Sequence, residues 1–349
     1  MVGVQILWPL SWYLAGISVC GMLLLIGGRF LRDHNEARHA AAATAVLDIF
    51  MRLMYDEALV LDELAPYRKQ PRLLAECLLK VLDLVRGADR ARMLDKLVDF
   101  GLVNLFLVNL HKGVSATRLT MIEALGAFER AEVKDALRRS LHDNGDINLR
   151  LVAAAALIRM GSDVDVTELI THIEVRQDPW SGSLAQVLRL IAEREPVRCE
   201  QILGRADLPV AARVLAAEAL GGVSDYSVIA ALSAAARDKI PLLRASATSA
   251  LGKLGHPAAL PVLRQGLQDE VWRVRSAAAK AAGDAGFSEL MDGLVPLLSD
   301  QVWSVRFQAA EALAKCGPQG VARLREIAHR AGDEAGRAAS LTLAERELA

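Results

Sequence analysis

Apolar and polar positions follow a helical period along most of the chain, and the pattern itself recurs every 31 residues. Arginine marks the recurrence at Arg213, Arg244, Arg275, Arg306 and Arg337. Aspartate precedes four of these arginines by six residues, at Asp207, Asp238, Asp269 and Asp300. Alanine stands three and six residues after each of the first four arginines, and leucine or alanine stands seven residues after it. Residues at this spacing share one face of a helix, so the columns predict a helical repeat.

Each unit is predicted to contain two helices. The first runs from the aspartate to a glycine, as in residues 269–283, where Asp269 can cap the helix start and Gly283 can close its end in a left-handed conformation. The second carries apolar residues at helical spacing, as in Leu260, Leu263 and Leu267. Neither helix can bury its apolar face alone, so stacked units are expected to form a solenoid.

The pattern extends towards the N-terminus with small shifts. Arg150 and Arg118 open further copies, a copy near Gly182 lacks its arginine, and a looser copy starts near Arg90. These copies give about eight units over residues 87–349. Residues 29–86 are predicted to form juxtamembrane helices and irregular first repeats. The fold class expected is all-α, an α-solenoid of helical hairpins.

Residues 1–28 contain no charged side chain and include an apolar run of more than 20 residues. Such a run can cross a bilayer core of about 30 Å. Trp8, Trp12 and Tyr13 lie near one end as interfacial anchors do, and Arg29 and Arg32 follow the other end. Because positive charge stays in the cytoplasm, we expect one transmembrane helix in the inner membrane, with the N-terminus outside and the repeats in the cytoplasm.

Two other interpretations of this segment fit less well. A cleaved signal peptide needs a basic start and a shorter apolar core, and this run has neither. A lipoprotein signal needs a small residue before its cysteine, but Val19 precedes Cys20 and the apolar run continues beyond it. We therefore predict a retained membrane anchor.

The stretch Asp300–Leu313, with aspartate, tryptophan, Val-Arg and paired alanines in order, resembles HEAT repeats of the bilin-lyase type. The resemblance covers roughly residues 87–349 and is specific for fold rather than activity. It implies that the repeated aspartates and arginines listed above form a ladder joining neighbouring units. The alternative is an aligned row of ligand-binding arginines.

Composition narrows the possible functions. The formal net charge of −1 does not suit a nucleic-acid binder, which needs clustered Lys and Arg to neutralise phosphates. The four cysteines, Cys20, Cys77, Cys199 and Cys316, are far apart and form no CxxC pair. This spacing favours a reducing compartment and argues against a disulfide or zinc site.

Enzymes built from HEAT-like repeats need residues or a charge pattern that this sequence does not supply. HEAT-like deoxyhypusine hydroxylases bind iron through His-Glu dipeptides, and the chain contains none. HEAT-like DNA glycosylases need a basic groove, and the matching Trp272 and Trp303 occupy one repeat column at a helix start, where an aromatic usually packs on the next unit. Bilin lyases match best by repeat consensus but are soluble pairs. We therefore predict no catalytic, cofactor-binding or metal-binding residue.

A binding module remains. A solenoid offers an extended concave surface lined by second helices, which suits proteins better than small molecules. We expect a membrane-anchored protein-interaction scaffold or accessory subunit of a membrane complex, such as a bacterial envelope-polymer synthase or secretion machine. The alternatives are a HEAT-like enzyme or chromophore lyase, which would carry visible absorbance or metal, and a recruiter of a soluble signalling protein.

Overall fold

A computed structural model describes residues 22, 29, 36–54, 60–110, 115–142, 146–171, 182–330 and 334–346. Every regular element within these ranges is a helix. The all-α prediction is therefore confirmed for the described part of the chain. By its internal contacts the chain divides into two compact units, Met1–Ala136 and Leu137–Ala349.

The first unit is built from helices α1 to α6 and most of α7. Their bounds are 36–53 (α1), Val60–Glu63 (α2), Pro71–Leu84 (α3), Gly87–Asp99 (α4), Leu102–Asn109 (α5), Ser115–Leu125 (α6) and Ala131–Leu141 (α7), with a 3-10 turn at Ala65–Lys69. Helix α3 packs against α5 and α6, and α4 packs against α5. The core between them contains Phe50, Leu78, Met93 and Phe106, all fully buried.

The second unit contains the 31-residue pattern. Its helices are Ile147–Arg159 (α8), Val166–Thr171 (α9), Gly182–Arg194 (α10), Pro196–Gly204 (α11), Val210–Leu220 (α12), Ile229–Ala235 (α13), Pro241–Leu254 (α14), Leu260–Gly266 (α15), Trp272–Ala285 (α16), Met291–Leu294 (α17), Trp303–Lys315 (α18), Pro318–Arg330 (α19) and Glu334–Glu345 (α20). Short 3-10 turns occupy Tyr226–Val228, Pro257–Ala259, Ser288–Leu290 and Val295–Ser299.

These helices form a row of stacked pairs. The first helices α8, α10, α12, α14, α16, α18 and α20 each pack on the next one in the row. Second helices such as α11, α13 and α15 pack against the first helices and, for α11 and α13, against each other. The predicted division of each unit into two helices is thus present, and the second-helix residues Leu263, Leu267, Leu294 and Leu298 are buried between the layers.

The alanine columns allow the first helices to approach closely. Ala247, Ala278 and Ala309 are completely buried, and Ala250, Ala281 and Ala312 are nearly so. A side chain with no atom beyond Cβ keeps the helix axes near the short end of the usual 8–10 Å range. The apolar excess of the sequence therefore reflects the contacts between neighbouring units.

The glycine column has a different role from the predicted one. Gly252 and Gly283 lie inside α14 and α16 rather than at their ends. A Cβ built on Gly252 would stand 2.6 Å from the Cα of Ala281, and one on Gly283 would stand 2.6 Å from the Cα of Ala312. The prediction that these glycines close their helices is wrong, because the column instead removes a clash between neighbouring first helices.

The glycines that end the first helices in a left-handed conformation come later in the 31-residue repeat. Gly255, Gly286 and Gly317 follow the first helices with φ of 62°, 69° and 83°. The helix start was also predicted too early, since α16 begins at Trp272, three residues after Asp269. The Asp269 carboxylate accepts the Val271 N–H and so forms a turn before the helix.

The predicted membrane span at residues 1–28 lies outside the described residues, apart from Met22, as do Trp8, Trp12, Tyr13 and Arg32. Arg29 is described and exposed. Among the helices that the structure describes, none combines the length and the apolar character needed to cross a bilayer.

Candidate interaction surface

The repeat arginines occupy equivalent places in successive first helices. Arg213, Arg244, Arg275, Arg306 and Arg337 are each the fourth residue of their helix, in α12, α14, α16, α18 and α20. This position lets a long side chain reach back to the turn before its own helix and sideways to the turn before the next first helix. The side chains of the first four follow this geometry.

The central pairs are bidentate. Arg244 donates from Nε and Nη2 to the two carboxylate oxygens of Asp269, both at 2.9 Å. Arg275 donates in the same way to Asp300 at 2.7 and 3.1 Å. Arg213 donates from Nη2 to Asp238 at 2.6 Å and from Nε to the carbonyl of Leu203 at 2.9 Å. We call these three pairs the Arg–Asp ladder.

Each ladder residue also bonds to the backbone. Arg244 Nη1 donates to the carbonyls of Asp238 and Lys239 at 3.1 and 3.2 Å, so its guanidinium joins the turn before α14 to the turn before α16. Asp238 and Asp269 each accept the N–H of the residue two positions later. The ladder therefore fixes the position of one unit on the next.

The ladder also sets the charge state of its carboxylates. Burial raises the pKa of Asp269, but hydrogen bonds from Arg244 and the Val271 N–H outweigh it, and the pKa lies below its usual range. The pKa of Asp238 and that of Asp300 are lowered in the same way, against burial, by backbone N–H groups and by Arg213 or Arg275. All three carboxylates are ionised at neutral pH.

Three of the predicted ladder residues have other surroundings. Arg306 lies 2.6 Å from Glu334. Asp207 pairs at 2.5 Å with Arg205, two residues before it, and both are largely exposed. The arginine that would reach Asp207 is missing because Gly182 occupies that position, 31 residues before Arg213. Arg337 is exposed, and none of the residues that the structure describes pairs with it.

Two aromatic contacts, which we together call the aromatic cluster, lie in the first turns of α16 and α18. Trp303 is 61% exposed and stacks on Phe307, with ring centroids 5.3 Å apart and planes at 17°. In the preceding unit the Arg273 guanidinium lies over the Trp272 ring, 4.7 Å from its centroid. The hydroxyls of Ser276 and Ser304 are 3.3 Å apart and link the two helices.

A shallow groove of about 260 Å³ lies on the same layer, between α12 and α14. Small side chains line it, including Ala245, Ser249 and Ala277. Leu242, which is 43% exposed, also lines it, as do Glu218 and Lys253. We call the groove and the aromatic cluster together the first-helix face.

Comparison with known families assigns the repeats. The sequence model of the HEAT repeat family matches residues 199–283 and 263–344. Residues 199–344 are HEAT repeats. The prediction of HEAT-like helical hairpins is thus confirmed for this part of the chain. Comparison with curated proteins by sequence finds no match.

Several solved structures are similar to this chain at low identity and low TM-score. Human deoxyhypusine hydroxylase is 19% identical, with 76% of this chain and 97% of that chain covered and a TM-score of 0.33. The CpcE–CpcF complex of phycocyanin lyase from Nostoc is 20% identical, covering 71% and 94%, with a TM-score of 0.29. Karyopherin Kap121p bound to the C-terminus of the phosphatase Cdc14p is 13% identical, covering 86% and 41%, with a TM-score of 0.43.

The aromatic cluster is the feature that sequence reasoning missed. The tryptophan column was expected to pack on the next HEAT unit, but the structure leaves Trp303 exposed and stacked within its own helix. The sequence feature that could have revealed it is Phe307, because the equivalent positions of the two preceding repeats hold Ser276 and Ala245. A second aromatic four residues after the first lies on the same helix face.

No group of three His, Cys, Asp or Glu side chains is placed as metal ligands would be within the described ranges. Cys77 and Cys199 are buried and Cys316 is half-buried. Burial raises the pKa of the Cys199 thiol to about 12, so this thiol stays protonated at neutral pH.

Proposed function

We propose that this protein is a HEAT-repeat scaffold that binds another protein through the first-helix face. The exposure of Trp303 carries the proposal. Tryptophan is among the residues most enriched in the hot spots that dominate protein-binding energy, and its stacking on Phe307 makes Trp303 part of a larger aromatic surface. This choice puts the binding surface on the first helices rather than on the second helices expected from the pattern.

The Arg–Asp ladder supports a binding role by making the surface rigid. Trp272 and Trp303 lie on helices whose starts are joined by the bidentate pair of Arg275 and Asp300. A preorganised surface loses little conformational entropy when a partner docks, so more of the contact energy appears as affinity. The proposed role is binding without catalysis.

The apolar segment at residues 1–28 supports attachment to a membrane, with the repeats on the cytoplasmic side. An anchor raises the effective concentration of the array towards partners in the same membrane. We therefore propose a membrane-associated protein partner and an accessory role in a membrane complex, such as an envelope-polymer synthase or a secretion machine.

Affinity purification from membranes in mild detergent tests the binding role. The wild-type protein, Trp303→Ala and Tyr226→Ala are compared by mass spectrometry of the proteins that co-purify. Tyr226 is a matched control because it is 55% exposed but packs against His256 and lies in the 3-10 turn between α12 and α13 rather than on a first helix. We expect Trp303→Ala to lose a partner that Tyr226→Ala retains. Identical co-purifying proteins from all three would refute the assignment of the surface.

The membrane attachment needs its own test. The full chain should stay with membranes after alkaline carbonate extraction, and a variant lacking residues 1–28 should be released. If the truncated protein still binds the same partner in the soluble fraction, the array acts as a recruiter. If it loses the partner, the segment itself holds the complex together.

A further inference from the structure

We infer that the first-helix face binds an acidic segment of its partner that carries an apolar anchor. The inference rests on the proposed function and adds the chemistry of the bound segment. It follows from which charges near the aromatic cluster are already neutralised and which are not.

Four carboxylates on or beside α16, α18 and α20 have a basic partner. Glu270, just before α16, lies 3.9 Å from Arg244, and Glu334, at the start of α20, lies 2.6 Å from Arg306. Asp284 on α16 contacts two lysines at 2.5 and 2.6 Å, and Glu311 on α18 pairs with Arg346 at 2.5 Å. Asp284, Glu311 and Glu334 therefore have little free charge to offer a partner, whereas Glu270 is 87% exposed and only partly offset by Arg244.

Several cations of the same layer are free of such partners. Lys239, Arg273 and Arg337 are exposed, and no carboxylate in the described part of the chain lies within ion-pair distance of them. Arg273 is held instead over the Trp272 ring. An arginine in this position can pair with a carboxylate while its ring contact is kept. The unpaired charge of the aromatic cluster is therefore positive.

The apolar part of the site complements this charge. Trp303 and Phe307 form a flat stacked surface on α18. The contact between Ser276 and Ser304 joins α18 to α16, the helix that carries Arg273. A leucine, phenylalanine or similar side chain can lie on the rings while neighbouring carboxylates reach the cations. The ring contact provides affinity, and the charges choose among partners.

Selection from a displayed library of random 12-residue peptides tests the inference on the full chain in detergent. We expect the enriched peptides to carry Asp or Glu beside an apolar residue. Binding of such a peptide, measured by fluorescence anisotropy, should weaken roughly 30-fold in Trp303→Ala and remain unchanged in Tyr226→Ala. Repeating the selection on Arg273→Glu should reduce the acidic bias. Circular dichroism checks that each variant keeps its helices.

Three outcomes would overturn the inference. The first is enrichment without acidic residues, and the second is equal enrichment on wild type and Trp303→Ala. The third is binding of phosphatidylserine vesicles or single-stranded RNA that depends on Trp303, which would assign the face to lipid or nucleic acid. All variants keep residues 1–28, so the anchor contributes equally to vesicle binding. A partner that co-purifies normally while the peptides show no acidic bias would leave the proposed function intact and refute this inference alone.

Discussion

Replacing Asp269 by alanine tests whether the Arg–Asp ladder stabilises the array. The change removes two charge-assisted hydrogen bonds from Arg244 and the one from the Val271 N–H. The side chains of Arg244 and Asp269 are only 12% and 14% exposed, so water replaces the lost oxygens poorly. Arg244 keeps its two bonds to backbone carbonyls, which limits the loss. We expect the unfolding free energy to fall by about 2–4 kcal/mol.

Asp207→Ala is the matched control, because Asp207 occupies the same repeat column as Asp269. Its partner Arg205 is 46% exposed and Asp207 itself is 61% exposed, so solvent already screens the pair. The measurement is urea unfolding of the full chain in one detergent, followed by far-UV circular dichroism. Asp269→Ala should lower the midpoint clearly and Asp207→Ala should leave it nearly unchanged. Equal effects of the two substitutions would refute the reasoning.

The double substitution Arg244→Ala and Asp269→Ala separates pairing from desolvation. Removing Asp269 alone leaves a guanidinium charge with reduced compensation, whereas removing both residues leaves no unpaired charge in the contact. We expect the double variant to be less destabilised than the sum of the single variants, with a coupling energy of roughly 0.5–3 kcal/mol. Simple additivity would show that the two side chains act independently.

Three further outcomes follow from the structure and can be measured on the same protein. Gly252→Ala should destabilise the array by about 1–3 kcal/mol because its Cβ would overlap Ala281, whereas Gly204→Ala, with no atom within 4 Å of the new Cβ, should not; urea unfolding compares them. The pKa values of the three ladder aspartates are lowered, so their contribution to the unfolding free energy should be complete above the usual carboxyl pKa and should be lost as pH falls through the lowered values. The urea midpoint should therefore fall with pH, and it should fall less in Asp269→Ala. Cys199 should react with iodoacetamide only after unfolding in urea, and alkylation of this thiol in the native protein would contradict its burial.

Much of the architecture was predictable because small and charged residues recur at fixed positions. The alanine columns specify close helix contacts, and they predicted the stacked first helices correctly. The glycine column was misinterpreted, since glycine serves both at left-handed helix ends and where two backbones nearly touch. Only the position of Ala281 beside Gly252 distinguishes the two roles, and that position depends on the packing of the next unit.

The first-helix face was less predictable. A tryptophan at a helix start can be buried by the next unit or left in solvent, and the repeat pattern is the same in both cases. Trp272 and Trp303 share a column, yet Trp272 is half-buried beside Arg273 and Trp303 is exposed beside Phe307. The local neighbour, rather than the column, determines what each ring can contact.

The interrupted ladder leads to the same conclusion about charged residues. Asp207 and Asp269 have the same place in their repeats, but only Asp269 has an arginine 25 residues before it to bind. The loss of one arginine at Gly182 leaves Asp207 to pair with Arg205. The Arg–Asp ladder therefore begins at Arg213 and continues through Arg275, and beyond it Arg306 and Glu334 link α18 to α20. Helix α10 packs against α12 before the ladder begins. The aromatic cluster lies where these links have accumulated, which is where a binding surface gains most from a fixed geometry.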